Sequence, residues 1–568
     1  MKRKREFLLI TMFFLLLGPV ISTHGKQVMN AGETAVDGVT GPNGLVYSSF
    51  IGGSGDDYGC AVARDSQNNT IIAGITYSTD FPVTEGAFDT SHNGASDVFV
   101  SKFAEDGTLL FSTFIGGSDE ETENLGDDSY ISHALSIAVD SADNIVIYGR
   151  TDSNDFPVTA GSYDTIYGGG RDLFIVKLSS DGSELLFATY LGGSGDEDWH
   201  LYATQTLVLD QYDNIIVTGL ASSYDFPTTP NAIDRTNPGN FIAKLSDDGS
   251  TLLYSSFVGG SCAGSLAIDS EGNMIIAGNT GDGEIQPTAG AYDTTYNGGL
   301  HDGFILKLSA DGSEILWTTL LGGTGWNAAA MATVDTAGDI YVAGTINVNS
   351  QNFPTTPGAN DTTLDGTGDM YIAKLSKNGD ELLFSTLHGG NGYDFFTRMV
   401  LDSKNSIYFT GTTTSTDYPV TPNAAGTTLS GGQDYTVAKL TPDCSFVQYA
   451  TYLGGSSQEI AAFGFPDWSD TVPDQIATGD IELVDEDNVI VVGTTNSTDY
   501  PATAGAYNST NAGGHDAFIT QLAWTPLEPP VTTTTAPGFD VFTGVISILA
   551  VSTPIKWSRR KKKNKEYE

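Results

Sequence analysis

The sequence predicts an all-β protein: a seven-bladed β-propeller of four-stranded antiparallel blades, closed by its N-terminal strand joining the last blade. The first observation is a composition of 67 Gly in 568 residues with only 17% charged residues, which is typical of a chain with many turns. The second is that four short runs rich in Val, Ile, Phe and Tyr recur in each repeat of the sequence. The third is a Gly pair that recurs at intervals of 64, 76, 67, 63, 67 and 65 residues, beginning at Gly52, Gly116, Gly192, Gly259, Gly322, Gly389 and Gly454.

The second repeat shows the four strands most clearly. They are predicted at Ser136–Asp140, Ile145–Arg150, Asp172–Leu178 and Leu185–Leu191. "SADN" joins the first two as a tight polar hairpin, and "SSDGSE" joins the last two, with Gly available for a positive φ. We label the strands of a blade a to d, from the inside of the ring outward.

The ends of the repeat array predict how the ring closes. Leu45–Ile51 has the sequence of an outer strand but lacks the three strands that should precede it, and the last repeat stops after its third strand at Asp516–Leu522. Pairing of these two segments completes the last blade and removes two exposed edges.

The repeats resemble the SBBP family of bacterial and archaeal β-propeller repeats. The resemblance is carried by "DLFIVKLSSDGSELLFATYLGGSGDE", "AVDSADNIVIYGRT" and "TDSNDFPVT", and it extends over residues 45–524. It implies the propeller fold and little about activity, so function has to be argued from a site.

The long connections of each repeat are the expected place for function. Because strand direction alternates, the b–c and d–a connections share one face, and loops on a rigid scaffold usually carry binding. The b–c loop contains the repeated "DFPVT" motif, which we expect to pack blade against blade.

The d–a loop, after the Gly pair, differs in every repeat. Aromatic and acidic side chains there predict a ligand-binding groove: Trp199, Trp326, Phe395, Phe396, Trp468, Asp196, Asp198 and Asp467. The alternative is that the rings only anchor their loops.

One d–a loop is rich enough in carboxylates to suggest a metal. "GSDEETENLGDDS" supplies Asp119, Glu120, Asp127 and Asp128, and Ca²⁺ binds through several oxygen ligands from one loop. Apart from this Ca²⁺, no cofactor is expected.

Motifs of enzymatic chemistry are missing from the sequence. It has no Gly-x-Ser-x-Gly elbow, phosphate-binding loop or His-Glu-x-x-His motif. We therefore expect a protein that is not an enzyme, with a hydrolase or lyase acting on polysaccharide as the alternative.

The net charge of −45 excludes nucleic acid as a partner, because phosphates are repelled. The three cysteines, Cys60, Cys262 and Cys444, are too few for a disulfide framework and are predicted to be buried thiols.

The two ends of the chain predict export and anchoring. Residues 1–25 have the basic start and apolar stretch of a signal peptide. A Pro/Thr-rich stalk (525–540), an apolar helix (541–557) and a basic cytoplasmic tail (558–568) follow the propeller.

The C-terminal end resembles the PGF-CTERM sorting segments of archaeal surface proteins. Thr532–Thr535, Pro537-Gly538-Phe539, the apolar helix and Arg559–Lys563 match that pattern, whereas Asp540 stands where family members usually have Gly. The resemblance implies that the helix is cleaved off and replaced by a lipid; a retained transmembrane anchor is the alternative.

Together these features predict a cell-surface propeller, anchored at its C-terminus with the blades outside. It would act as a binding or adhesion module for glycans, proteins or extracellular polymers, with a structural envelope component as a further alternative. Four sequons are candidate glycosylation sites: Asn68, Asn360, Asn496 and Asn508.

Overall fold

A computed structural model describes residues 44–121, 135–197, 206–459 and 479–529, and all regular secondary structure in these ranges is β-strand. The strands are, in chain order, β1 (Leu45–Ile51), β2 (Asp57–Arg64), β3 (Thr70–Thr76), β4 (Asp97–Phe103), β5 (Leu109–Ile115), β6 (Ser136–Val139), β7 (Ile145–Thr151), β8 (Asp172–Leu178), β9 (Leu185–Leu191), β10 (Leu207–Leu209), β11 (Ile215–Ala221), β12 (Gly239–Leu245), β13 (Leu252–Phe257), β14 (Cys262–Ile268), β15 (Met274–Thr280), β16 (Asp302–Leu308), β17 (Ile315–Leu321), β18 (Asn327–Val334), β19 (Ile340–Asn347), β20 (Gly368–Leu375), β21 (Leu382–His388), β22 (Asp394–Leu401), β23 (Ile407–Thr413), β24 (Asp434–Leu440), β25 (Val447–Leu453), β26 (Asp480–Asp485), β27 (Asn488–Thr495) and β28 (Asp516–Ala523).

These strands form seven antiparallel four-stranded sheets, which are the blades of a propeller. Blades 1 to 6 take four consecutive strands each, from β2–β5 to β22–β25, and blade 7 has the order β26-β27-β28-β1. The predicted fold class is confirmed.

The ring closes through the N-terminal strand, as predicted. β1 is antiparallel to β28, with Ser49 opposite Ile519 and Ile51 opposite Ala517. The hydroxyl groups of Ser48 and Thr520 are hydrogen-bonded across the pair at 2.8 Å. The outermost strand of the last blade therefore comes from the beginning of the chain.

The hydrophobic core lies between neighbouring blades. Strands such as β4 and β8 are buried along their whole length, as expected for sheets covered on both faces. The aromatic residue of the "DFPVT" motif belongs to this core: Phe81 stacks on Phe99 of its own blade at 4.5 Å and shares a cluster with Ile51 and Val492 of blade 7. The repeated loop motif thus packs blade against blade.

The b–c connection of each blade also covers the free edge of that blade's outer strand. In blade 1 the Thr84 amide donates to the Ser112 carbonyl at 3.0 Å, and the Phe114 amide donates to the Asp89 carbonyl at 3.0 Å. Corresponding bonds occur in all seven blades, including Thr503 to Ser48 in blade 7. We call this segment the edge strap; it uses backbone groups that an exposed edge would leave unpaired.

Buried ion pairs support the side of the ring opposite these connections, where the a–b and c–d hairpins lie. Lys102 of β4 lies 2.7 Å from Asp65 in the a–b turn, and Lys177 of β8 lies 3.0 Å from Asp140. Burial raises the pKa of Asp65, but hydrogen bonds from Lys102 and Asn69 outweigh it and leave the pKa below its ordinary value. In such an Asp-rich turn, the lysine ammonium group occupies the position beside the carboxylate that a bound metal ion would otherwise need.

The predicted signal peptide (1–25) and the segments beyond residue 529 lie outside the described residues. In the ranges that the structure does describe, no helix has the length and apolar character needed to cross a membrane. By internal contacts the chain separates into two units, Met1–Leu527, which contains the propeller, and Glu528–Glu568.

Candidate functional site

The face that carries the b–c and d–a connections is here called the connector face. Its backbone is fixed by a contact repeated between consecutive blades. Asp155 in the "DFPVT" loop of blade 2 accepts hydrogen bonds from the amide and hydroxyl of Ser118, just after the Gly pair that ends blade 1, at 2.8 and 3.0 Å. Asp80, Asp225 and Asp499 hold Ser54, Ser194 and Ser456 in the same way. These four d–a loops therefore begin from one constrained geometry, and at a fifth junction the Asn391 amide donates to Asp417 in the same way.

Beneath this contact lies a buried pair of carboxyl groups, here called the acid pair. One member is the first Asp of strand c, and the other lies five residues after the first Gly of the pair: Asp516 with Asp57, Asp97 with Glu121, Asp172 with Glu197, Asp369 with Asp394, and Asp434 with Glu459. All ten side chains are at most 2% exposed. Burial raises the pKa of Asp172 to about 6 and that of Glu197 to about 7.

The first Gly of the repeated pair is required because it lies against these two carboxyl groups. A Cβ on Gly192 would lie 2.3 Å from Asp172 Oδ1 and 2.9 Å from Glu197 Oε2. Because any side chain at this position would clash with the two carboxyl groups, the first Gly of the pair is kept from repeat to repeat.

The residue before each member of an acid pair forms a second pair that changes from blade to blade. Backbone bonds hold these two residues side by side, for example from the Asp57 amide to the His515 carbonyl (2.7 Å) and from the Glu197 amide to the Arg171 carbonyl (2.9 Å). We call them variable pairs: Asp56 with His515, Glu120 with Ser96, Asp196 with Arg171, Trp326 with His301, Tyr393 with Gly368, and Gln458 with Gln433. At these six junctions the connector face thus presents different side chains, five of them beside an acid pair and the sixth beside Asp302 and Asn327.

The variable pair at the ring closure is the one with recognisable chemistry. His515 Nδ1 lies 2.9 Å from Asp56 Oδ1, and the His515 ring stacks on Tyr58 at 5.6 Å. Tyr77 lies edge-on to Tyr58 at 6.3 Å. A carboxylate that accepts the Nδ1 proton leaves Nε2 with the lone pair, and in the described part of the chain His515 Nε2 has no hydrogen-bond partner. The His515 and Asp56 side chains are 24% and 45% exposed, but His515 Nε2 itself and the Tyr58 side chain are buried, so a small molecule would reach this nitrogen only after a local rearrangement.

The sequence did not predict this group, because its two polar members lie 459 residues apart. The available signal was the predicted closure: once Leu45–Ile51 pairs with the last blade, Asp56 must lie close to His515.

A charged cluster joins three inner strands across the closure and was also missed. Arg398 Nε of β22 lies 3.0 Å from Asp480 Oδ1 of β26, and Asp480 Oδ2 accepts from the Val62 amide of β2 at 3.0 Å. Burial and the charge of Asp480 raise the pKa of Glu482 on the same strand to about 7. The cluster ties blades 6, 7 and 1 together.

The aromatic residues predicted to form the groove are buried where the structure describes them. Trp326 is 6% exposed, Phe395 is 7% exposed, and Phe396 is fully enclosed in a cluster with Met370 and Met399. Asp196 is exposed at its junction. Trp199, Trp468, Asp198 and Asp467 lie outside the described residues. A ligand role for these rings stays a prediction, and the buried rings would contact a ligand only after a local rearrangement.

The predicted metal loop is described in part. Asp119 is exposed and Glu120 is half-buried, while Asp127 and Asp128 lie outside the described residues. In the described ranges no group of three or more His, Cys, Asp or Glu side chains is arranged to hold a metal ion. The Ca²⁺ site therefore stays a prediction that depends on the residues beyond Glu121.

The remaining predicted positions lie on the surface or in the core. Asn68 and Asn360 are exposed, and Asn496 and Asn508 are half-buried in connections. Cys60, Cys262 and Cys444 are buried and not disulfide-bonded, and burial raises the pKa of the Cys60 and Cys444 thiols.

Comparison with known proteins gives similarity at the level of fold. No family model and no curated protein matches the chain, so the resemblances to SBBP repeats and to PGF-CTERM segments stay predictions. Among solved structures, the chain is similar to an ulvan lyase of polysaccharide lyase family 25 (8% identity, 85% of this chain and 96% of that one, TM-score 0.40). It is also similar to virginiamycin B lyase from Staphylococcus aureus (10%, 84% and 98%, TM-score 0.37) and to the WD40 propeller of Doa1 (9%, 83% and 96%, TM-score 0.37).

These similarities correct one prediction from the sequence. The expectation that the protein is not an enzyme no longer stands as a prediction, because enzymes are among the propellers similar to it in fold; the similarity itself shows the fold alone. A missing catalytic motif carries little weight in a propeller, where reactive side chains come from different blades and share no sequence spacing. The chain is a seven-bladed β-propeller, a fold that serves both binding and catalysis.

Proposed function

We propose that this protein is an exported propeller, anchored at the cell surface, whose connector face binds an extracellular glycan, protein or polymer. The observation that carries the proposal is the set of variable pairs. The acid pair, the Gly pair and the Asp–Ser contact recur at most junctions, whereas the adjoining residues change from Asp56 with His515 to Gln458 with Gln433. Folding alone does not require such divergence at positions held so uniformly.

The experiment is a binding screen of the purified propeller against glycan arrays and surface extracts, followed by variants of the exposed members of the variable pairs. Asp196→Asn and Gln458→Ala should weaken binding of any ligand found without changing the melting temperature. Gln211→Ala is the matched control, because Gln211 is exposed in an a–b hairpin on the opposite side of the ring. Equal binding by all three variants would contradict the assignment of the connector face.

The second candidate function is an enzyme that acts on a polysaccharide, favoured by the His515–Asp56–Tyr58 group. An imidazole oriented by a carboxylate is suited to proton transfer, and a neighbouring tyrosine adds a second group that can exchange a proton. A screen for reducing ends or unsaturated products from extracellular polysaccharides tests this candidate. His515→Ala should abolish any turnover, and His301→Ala, at the same position of blade 4 but paired with Trp326, should retain it.

Surface anchoring belongs to the same proposal and is supported by the sequence of the two ends alone. The basic residues after Trp557 favour the cytoplasmic side, and the stalk from 525 to 540 would hold the propeller away from the membrane. Mass spectrometry of the protein from its native membrane distinguishes a retained helix from a lipid-modified end.

A further inference from the structure

The acid pairs present an electrostatic problem that the surrounding structure does not solve by itself. Two ionised carboxylates this close and this deeply buried repel each other, and neither has a cation as partner in the contacts described below. Four pairs share this arrangement: Asp57–Asp516, Asp172–Glu197, Asp369–Asp394 and Asp434–Glu459. A fifth pair, Asp97–Glu121, adjoins the predicted metal residues Asp119 and Glu120.

Each carboxyl group accepts hydrogen bonds from the chain, and in the Asp57–Asp516 pair all four oxygen atoms do so. Asp394 Oδ2 accepts from the Gly390 amide and the Ser415 hydroxyl at 2.8 and 2.7 Å, and Asp369 Oδ2 accepts from the Asp365 amide at 3.0 Å. Asp369 Oδ1 is buried and has no hydrogen-bond donor among the described residues, whereas the Thr413 hydroxyl lies close enough to the Asp394 carboxyl group to lower its pKa. Buried oxygens without partners also occur at Asp172, Glu197 and Glu459.

The two members of a pair approach each other across the Gly residue. A Cβ on Gly389 would lie 2.6 Å from Asp369 Oδ1 and 2.8 Å from Asp394 Oδ2. At Gly454 the corresponding distances to Asp434 Oδ1 and Glu459 Oε2 are both 2.6 Å. A donor between the two carboxyl groups is what this geometry lacks.

One junction of the same chain shows the missing donor in place. At Gly322 the second acid is replaced by Asn327, whose Nδ2 donates to Asp302 Oδ1 at 3.2 Å. The amide hydrogen thus lies between two side chains that elsewhere are both carboxyl groups. A proton bound by one carboxyl group of a pair supplies the same bond, whereas a divalent cation requires about six or more oxygen ligands.

We propose that each of these four acid pairs holds one shared proton in the folded protein. The blade junctions are then joined by carboxyl–carboxylate hydrogen bonds, and the folded ring is more stable at low pH. Ionisation of the second carboxyl group, as the pH rises, places two negative charges between consecutive blades and weakens the junction. The junction at the ring closure, Asp57–Asp516, is among those affected.

The charged groups around the pairs also raise the pKa values of the paired carboxyl groups, with one exception. Further carboxylates raise the pKa values: Asp164 beside Asp172, Asp361 and Asp365 beside Asp369, Asp417 beside Asp394, and Asp56 beside Asp516. His515 lowers the pKa of Asp516, and Arg171, next to Asp172 in sequence, lies 3.5 Å from Asp152. Burial is the largest cause in every pair and raises the pKa of Asp369 and of Glu459 to about 8.

The sign of the pH dependence follows from these directions. Ordinary carboxyl groups of an unfolded chain titrate near pH 4, and those of the folded pairs titrate at higher pH. Between the two values the folded chain holds a proton that the unfolded chain has lost, so stability is full below about pH 4 and falls as the pH rises toward 8. The window extends to about pH 8 for the pairs that contain Asp369 and Glu459 and to about pH 7 for Asp172–Glu197, and within its window each pair raises the unfolding equilibrium constant about tenfold per pH unit.

The test is equilibrium unfolding of the propeller in denaturant from pH 4 to 9. Asp394→Asn reproduces the Asn327 arrangement. It should lower the slope of unfolding free energy against pH by the amount that corresponds to about one bound proton, and the stability at pH 8 should equal or exceed that of the unmodified protein. Asn327→Asp creates an additional pair and should increase the dependence by about one proton. Asp247→Asn removes an exposed carboxylate from the turn between β12 and β13 and should leave the dependence unchanged.

Infrared spectroscopy gives a second measurement that does not depend on a variant folding. The folded protein at pH 6.5 should show the carbonyl stretch of protonated carboxyl groups, and Asp394→Asn should diminish it. Absence of that band from the unmodified protein, or an unchanged pH dependence in both Asp394→Asn and Asn327→Asp, would overturn the proposal. So would a rise in melting temperature at pH 8 that requires added Ca²⁺ and disappears in Asp394→Asn, because the pairs would then hold a cation.

Discussion

The closing strand is held only by non-covalent contacts, and one side chain in it provides a sharp test of how closure is maintained. Phe50 of β1 is fully buried between blade 7 residues, with its ring edge-on to Tyr500 at 6.0 Å. Phe114 of β5 occupies the same position in blade 1 and is 1% exposed. Replacing either by Ala removes a buried aromatic ring and should cost about 3–5 kcal/mol of unfolding free energy.

The two substitutions should differ in where the structure opens. β5 is joined to β4 by a short hairpin, whereas β1 reaches its neighbour β28 only at the end of the ring, so Phe50→Ala should release β1 locally. A loss of about 3–5 kcal/mol converts to roughly 10²- to 10³-fold or more faster hydrogen exchange of the β28 amides that β1 covers.

Hydrogen exchange followed by mass spectrometry measures this difference directly. Phe50→Ala should accelerate exchange in β28, and Phe114→Ala should leave β28 protected. Similar protection of β28 in both variants, or loss of protection throughout the ring in Phe50→Ala, would refute the idea that closure opens as a separate step.

Three further predictions follow from the contacts described above. Lys177→Met leaves the buried Asp140 carboxylate without its cation and should lower the unfolding free energy by about 3–5 kcal/mol in denaturant titrations, whereas Lys404→Met, on an exposed pair with Glu486, should have no comparable effect. Asp155→Ala removes the acceptor for Ser118 and should lower the melting temperature, with Asp247→Ala in an exposed turn as the unaffected control. Protease added to intact cells should degrade the propeller, and glycopeptide mapping should find sugar first at the exposed Asn68 and Asn360; a fully protected propeller in permeable cells would contradict export.

Most of the fold could be predicted from the sequence because its signals are repeated. The four strands of a blade, the seven repeats and the closure by Leu45–Ile51 all follow from periodic runs of β-branched and aromatic residues, and the structure confirms them. The edge strap was not predicted, although the Thr of the repeated "DFPVT" motif was a signal for it: the Thr84 hydroxyl accepts a hydrogen bond from the Ser112 amide of the outer strand, and the equivalent Thr does so in every blade.

The candidate site was harder to predict, for a different reason. The stretch after each Gly pair was interpreted as variable throughout, yet its acid at the fifth position after the first Gly is nearly constant: Asp57, Glu121, Glu197, Asp394 and Glu459. Because the sequence is rich in Asp and Glu, a carboxylate that recurs at one position is difficult to distinguish from neighbouring acidic residues that vary. The aromatic rings that attracted the prediction, Trp326 and Phe395, are buried at the same junctions.

The edge strap has a consequence for how such a chain can grow. In blades 1 to 6 the strap covers a strand of its own repeat, as Thr84 and Asp89 cover β5, and only in blade 7 does the covered strand, β1, come from the other end of the chain. A repeat that is duplicated or lost among blades 1 to 6 therefore brings or removes the cover of its own outer strand. The number of junctions, and with it the number of variable pairs on the connector face, then changes by one at a time.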